Sequence, residues 1–344
     1  MRLGLGLGQR ALTRDNFRFA RQMGCTDIVA HLTDYTEPVL DLARHDEMYS
    51  LDTMLRLKAQ MNAEGVELHA IENFCPAHWH DVLLDGPKRA QQMDRLKRIV
   101  RDAGRAGIRM LGYNFSLAGV WGLSYVEAAR GGARTAVFHD PPQSPMPSGS
   151  VWNFIYDPDA PPGVVAPVSE AELWDRVRRF LEELVPVAEE AGVVLAAHPD
   201  DPPLPVVRDT ARLVYRTDYY RRLLDLVPSP NSRLELCLGT TAEMTDGDVY
   251  ETIRAHAGEI GYVHFRNVRG KVPHYDEVFL DEGDIDMVEA LRLLRDGGFG
   301  GVLIPDHTPS VACAAPWHAG MAYALGYMRA ALTMLRALDE EAGR

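Results

Sequence analysis

Short apolar runs recur along the chain, each followed by a longer stretch in which apolar residues return every three to four positions. The runs LGLGL (3–7), DIVAH (27–31), VELHAI (66–71), RMLGY (109–113), VVLAAH (193–198), RLELCL (233–238), YVHF (262–265) and GVLIP (301–305) predict eight strands. The stretches 14–23, 50–63, 87–105, 169–191, 208–226, 246–257, 285–296 and 316–338 predict eight helices. Thr13, Ser169 with Glu172 three residues on, and Asp284 stand where helix caps belong. Gly24, Gly65, Gly107 and Gly192 each precede a strand and suit the turn that ends a helix. Alternating strands and helices make a parallel sheet, and eight units close it into a (β/α)8 TIM barrel. An open, doubly wound sheet is the alternative.

One region breaks the rhythm. Residues 114–168 carry PPQSPMPSG and DPDAPPG, a proline-rich stretch that reads as an elaborated loop after the fourth strand rather than a second domain. Residues 1–344 are therefore expected to form a single barrel, with this insertion lying over its catalytic face as a lid. Glycines 4, 6 and 8 lie within the first strand and are spaced G-x-G-x-G, so small residues inside a barrel strand explain them better than a dinucleotide loop does.

The end of each of the last four runs carries a metal-ligand residue: His198, Cys237, His264 and Asp306, separated by 39, 27 and 42 residues. In a parallel barrel these positions meet at the mouth where barrel enzymes keep their chemistry. Taken singly, Cys237 reads as a small core residue, His198 as a turn cap, His264 as a hydrogen-bonded core histidine and Asp306 as a helix cap. Their joint placement points to a metal. A mixed N/S/O donor set suits Mn, Fe, Co or Zn.

His307 follows Asp306 and would project away from it, either toward substrate as a proton-transfer group or into solvent. HFRNVRGKVPH (264–274) gathers Arg266, Arg269, Lys271 and His274 just past the seventh run, as a seat for a carboxylate or as a solvated basic loop. Asp200 and Asp201 are candidates to orient the metal ligands, and Asn114 to hydrogen-bond a sugar hydroxyl.

Composition narrows the partners. Asp and Glu outnumber Lys and Arg 49 to 36, for a net charge of −13. That balance argues against nucleic acid and anionic membranes while leaving room for a small anionic substrate. Four scattered cysteines without a CxxC pair suit a reducing compartment, and no run has the length of a signal peptide core or a membrane span. A cytoplasmic protein is expected, assembled as a homo-oligomer, dimer or higher.

The motifs GRAGIRMLGYNFSLAGVWG (104–122), AAHPDDPPLP (196–205), ELCLGT (235–240), VHFRNVRG (263–270), FLDEGDIDM (279–287) and PDHTP (305–309) resemble the mannonate dehydratase family across nearly the whole chain. The resemblance implies a barrel with one divalent ion, Mn²⁺ first with Fe²⁺ and Co²⁺ as alternatives, on His198, Cys237, His264 and Asp306. It implies an acid/base role for His307, substrate contacts near Arg266, and dehydration of a sugar acid, D-mannonate or a close analogue. The family carries a glycine after its Asp-His pair and a later tyrosine assigned to catalysis. Here Thr308-Pro309 follows, and AAPWHAGMAYALGYMRA (314–330) offers His318 or Tyr323 for that role. A metal-dependent sugar isomerase or epimerase, or an inactive sugar-acid-binding relative, are the alternative functions.

Overall fold

The computed structural model describes residues 1–341 and 343. Eight strands close a parallel barrel: β1 (Arg2–Leu7), β2 (Asp27–Ala30), β3 (Glu67–Ile71), β4 (Met110–Tyr113), β5 (Val194–Ala197), β6 (Ser232–Cys237), β7 (Ile260–His264) and β8 (Val302–Ile304). Each pairs with its neighbours in sequence, and β1 closes the ring on β8 with Arg2 opposite Val302. In β1 the leucines face out and are buried against the helices, while the glycines face the barrel axis. A methyl group on Gly4 would lie 2.6 Å from Val302 Cγ1, so the crowded interior selects glycine there. Val29, Ala70, Met110, Ala196, Tyr262, Val302 and Ile304 pack inside the ring, apart from the larger shell beneath the helices.

The principal helices are α1 (Arg14–Gln22), α2 (Leu51–Ala63), α3 (Arg89–Arg105), α4 (Glu170–Ala191), α5 (Asp218–Leu224), α6 (Val249–His256), α7 (Met287–Asp296) and α8 (Pro316–Glu341). Thr13 caps α1, and Ser169 with Glu172 forms the expected capping box on α4. The four expected helix-ending glycines all take positive φ. Shorter helices at Leu42–Met48, Pro76–Leu84 and Leu238–Glu243 were not legible from periodicity.

Two helix expectations change. The helix expected over 208–226 shrinks to the seven residues of α5. Arg208 and Asp209, with φ of 54° and 59°, turn Val206–Val207 back onto Thr210–Ala211 as a tight hairpin. The cap of α7 is Asp286, which accepts from the backbone of Val288 and Glu289. Asp284 instead accepts from Gly270 N at 2.7 Å.

The insertion after β4 is not a plain loop, and the basic segment after β7 is not a loop at all. Ser124–Ala129 and Ala133–His139 from the insertion join Asn267–Lys271 and His274–Val278 in a four-stranded antiparallel sheet. This sheet ties the insertion to the chain that follows the seventh barrel strand. No described helix is long and apolar enough to cross a membrane.

Candidate metal centre and its cavity

A cavity of about 910 Å³ opens at the C-terminal end of the barrel. His31, Glu72, Asn114, His198, His264, Arg266, Asp306 and His307 reach it from the strand ends, and Val120, Trp121, Tyr125 and Trp152 from the insertion. The insertion thus supplies part of the wall, as a substrate lid would.

The four proposed ligands come from β5 to β8. Cys237 and His264 end their strands side by side in the ladder, His198 follows β5 by one residue, and Asp306 lies two residues past β8. Donor atoms of His198, Cys237 and His264 lie within 4.8 Å of one another. Asp306 adjoins the group, its Oδ2 3.5 Å from His264 Nδ1.

Hydrogen bonds orient both imidazoles. His198 Nδ1 lies 2.6 Å from the Pro199 carbonyl and donates to it, which leaves Nε2 for an ion. His264 is held at the other nitrogen. Its Nε2 hydrogen-bonds Glu72 Oε2 at 3.2 Å and lies 2.9 Å from Glu235 Oε1 in a charge contact, while Nδ1 is buried with no hydrogen-bond partner. A buried imidazole held at Nε2 by carboxylates and unpartnered at Nδ1 is what a metal-ligating histidine requires.

The local charge suits a cation as well. Burial pushes the Cys237 thiol up, but Arg266, His198 and His264 overcome it and bring the thiol down to about 5. Burial opposes charge on His198, yet the pull of Cys237 and Glu235 raises it to about 9. Burial alone would raise Asp306, but His307, His264 and Arg266 hold it well below the usual carboxylate range. A thiolate, a carboxylate, a buried imidazole and a half-buried one therefore face one another, and the donor set fits a divalent ion.

His307 stands beside this group, half exposed to the cavity, with Nδ1 2.8 Å from Glu277 Oε2. Asn114 donates through Nδ2 to the Pro199 carbonyl at 3.1 Å, and its buried Oδ1 has no partner. Arg266 also lines the cavity, but its guanidinium is already engaged. It bonds Asp201 at 2.9 Å, Glu243 at 3.0 Å, Thr240 Oγ1 at 2.8 Å and Glu277. This arginine neutralises a buried acidic nest, and an incoming carboxylate would have to compete for it. Asp201 belongs to that nest. Asp200 pairs with buried Arg212 at 2.9 Å and accepts from the backbone of Leu213 and Val214, a structural task away from the ligands.

Four expected site residues are not brought to the cavity. Arg269 lies on the exposed face of the accessory sheet, paired with Asp276 and Glu282, and His274 is exposed on the adjoining strand. At the start of α8, successive side chains diverge by about 100°. Trp317 accordingly faces the cavity, while His318 turns to α1, bonding Asn16 Oδ1 at 3.0 Å and packing on Phe19. Tyr323 lines a separate surface hollow of about 590 Å³ with Arg130, 3.4 Å from its hydroxyl.

Sequence reasoning missed Glu72, Glu235 and Glu277. Glu72 directly follows β3, where the rule that found the ligands would have found it. Glu235 stood out as a lone charge in the apolar run RLELC. Glu277 had no such signal, because its segment carried no strand expectation.

A sequence model of the D-mannonate dehydratase (UxuA) family matches residues 15–144 and 164–338. The break between the two matched stretches falls in the proline-rich insertion. Mannonate dehydratase 2 of Halalkalibacterium halodurans is 31% identical over 272 residues, 74% of this chain and 78% of that protein. The mannonate dehydratase of Geobacillus thermodenitrificans is 29% identical over 287 residues, 76% of each chain. The crystal structure of mannonate dehydratase from Streptococcus suis superposes with a TM-score of 0.79 at 23% identity, covering 100% of this chain and 95% of that one. The D-psicose 3-epimerase of Clostridium cellulolyticum shares the fold, with a TM-score of 0.59 at 14% identity and coverage of 98% and 99%.

Proposed function

Because the chain belongs to the mannonate dehydratase family, we propose that it removes water from D-mannonate, or a close sugar-acid analogue, to give 2-keto-3-deoxy-D-gluconate. The observation that carries this reading is the convergence of His198, Cys237, His264 and Asp306 beside His307 at one cavity. Mn²⁺ is the proposed ion, with Fe²⁺ and Co²⁺ as alternatives, and these four side chains would hold it.

When bound, the ion supplies Lewis-acid stabilisation of the negative charge that develops on the substrate carboxylate and C2 oxygen. His307 exchanges the proton at C2, the step made difficult by the neighbouring carboxylate. Asn114 offers its free Oδ1 to a substrate hydroxyl. The insertion residues Trp121, Tyr125 and Trp152 cover the bound sugar acid and limit its contact with water. Loss of the C2 proton and the C3 hydroxide leaves an enol, which becomes the 2-keto product by moving a proton from the C2 hydroxyl to C3.

The test is to load the purified protein with Mn²⁺, Fe²⁺, Co²⁺ or Zn²⁺ in turn and assay a panel of sugar acids for 2-keto-3-deoxy products. Turnover of D-mannonate with at least one ion, abolished by chelation, is expected. No such product across the panel would overturn the reading, and an epimerised or isomerised sugar would redirect it to the epimerase class.

A further inference from the structure

Among the described residues, Glu277 is the one carboxylate that contacts both His307 and Arg266 through hydrogen bonds. It lies on the accessory strand His274–Val278, where alternation turns it inward and leaves it 1% exposed. Its two oxygens lie 3.0 and 2.8 Å from His307 Nδ1, so Nδ1–H donates to the carboxylate. Arg266 Nη1 donates to Oε1 and fixes the carboxylate from the far side.

The strand is itself braced. Val268 pairs with Glu277 on one side, and Asp276 pairs with Val137 of the insertion on the other. Thr135 Oγ1 donates to the Glu277 carbonyl at 2.6 Å. The sheet that the insertion completes therefore places this one carboxylate.

We propose that Glu277 is a positioning residue for His307, and that the insertion acts in catalysis by building the sheet that delivers it. The contact fixes the imidazole with Nδ1 occupied and directs Nε2 to the cavity for proton exchange with substrate. His307 is half exposed, and the carboxylates set against its ring are Glu277 at Nδ1 and the neighbouring Asp306. A purely structural Glu277 would be satisfied by Arg266 alone, and Arg266 would keep Asp201 and Glu243 without it.

This inference rests on the dehydratase reading and on the role of His307, and the experiment separates the three. Wild type, His307→Ala, Glu277→Gln and Glu277→Ala are compared for kcat and KM on D-mannonate, exchange of the C2 proton in D₂O, Mn²⁺ affinity by calorimetry, and Tm. The Nδ1–H proton of His307 is followed by NMR, assigned by its loss in His307→Ala. We expect both Glu277 variants to lose about 10- to 100-fold in kcat and in C2 exchange, the usual cost of losing a partner that orients a catalytic imidazole. KM and Mn²⁺ affinity should stay within about twofold of wild type, and the Nδ1–H signal should vanish in Glu277→Ala.

A wild type inactive on every sugar acid would sink the dehydratase reading, with the Nδ1–H signal still testing the contact. An active His307→Ala would sink the role of His307. Glu277 variants with wild-type kcat beside an inactive His307→Ala would overturn the positioning role. So would variants whose lost activity follows lost Mn²⁺ affinity or lost Tm, because those mark a structural part only.

Discussion

His264 Nε2 lies 2.9 Å from Glu235 Oε1, with both side chains sealed inside the barrel. The close contact is one of charge, and the hydrogen bond at the same nitrogen goes to Glu72 Oε2 at 3.2 Å. Together the two carboxylates favour a proton on Nε2 and leave Nδ1 for an ion.

Glu72→Gln should therefore weaken Mn²⁺ binding by about 10- to 100-fold, the usual cost of losing a carboxylate hydrogen-bonded behind a metal-binding histidine. Calorimetric titration of the metal-free protein measures this directly. Glu235→Gln should cost less, because its oxygen, though nearer at 2.9 Å, takes no hydrogen bond from the ring. Equal affinities in wild type and Glu72→Gln would reject the arrangement.

The departures after His307 lead to a second expectation. His318 and Tyr323 point away from the cavity, so His318→Ala and Tyr323→Phe should keep kcat on D-mannonate within about threefold, well short of the 10²- to 10⁴-fold that a general acid or base supplies. His307→Ala, measured alongside, should lose activity by that larger factor while Mn²⁺ affinity holds. A comparable collapse in His318→Ala would show that α8 rearranges when substrate binds.

The barrel and the meeting of His198, Cys237, His264 and Asp306 at its mouth were legible because both follow rules that repeat. Strand–helix alternation is periodic, and a side chain at a strand end inherits its place from the strand. The accessory sheet was hidden because it joins two short hairpins, Ser124–Ala129 with Ala133–His139 and Asn267–Lys271 with His274–Val278, that meet only across more than 130 residues, Asp276 with Val137 for instance. The directions of Arg269 and His318 were hidden for a related reason. Which way a side chain points on a sheet or helix depends on pairing and phase, and a cluster of basic residues in sequence carries neither. Arg266 was found, but the four acidic groups around it come from separate parts of the chain and appear together only in the fold.

Gly112 offers a sharper test of the barrel interior. A methyl group there would sit 2.5 Å from the Tyr262 hydroxyl and 2.6 Å from Glu235 Oε2, so both buried side-chain ends would have to shift. Gly112→Ala should cost about 1–3 kcal/mol in stability, as overpacking of a close-packed core does. It should also lower Mn²⁺ affinity, since the displaced Glu235 carboxylate lies against His264 Nε2. Urea unfolding and calorimetry check the two effects, and a neutral result in both would mean that the layer relaxes freely.

A final prediction concerns acid stability and lies away from the cavity. Burial, with Arg95 and His45 nearby, lowers His78 to about 3, and the ring is fully sealed among packed side chains. An unfolded histidine titrates near 6.5, so below that pH the unfolded chain takes up a proton that the folded one refuses. The folded pKa is depressed for a base, so stability is lost as pH falls from about 6.5 toward 3 and is unaffected above that range. At pH 5 the loss from this one group is about 2 kcal/mol relative to pH 7, at 1.36 kcal/mol per unit. His78→Phe cannot titrate and keeps an aromatic ring against Tyr49, 5.0 Å away in the native packing. Its unfolding free energy should fall less between pH 7 and pH 5 than that of wild type, by about the same 2 kcal/mol, whatever the substitution does to stability at pH 7. Urea titrations of both proteins at the two pH values give the difference, and an identical pH dependence would show that His78 takes up its proton without unfolding.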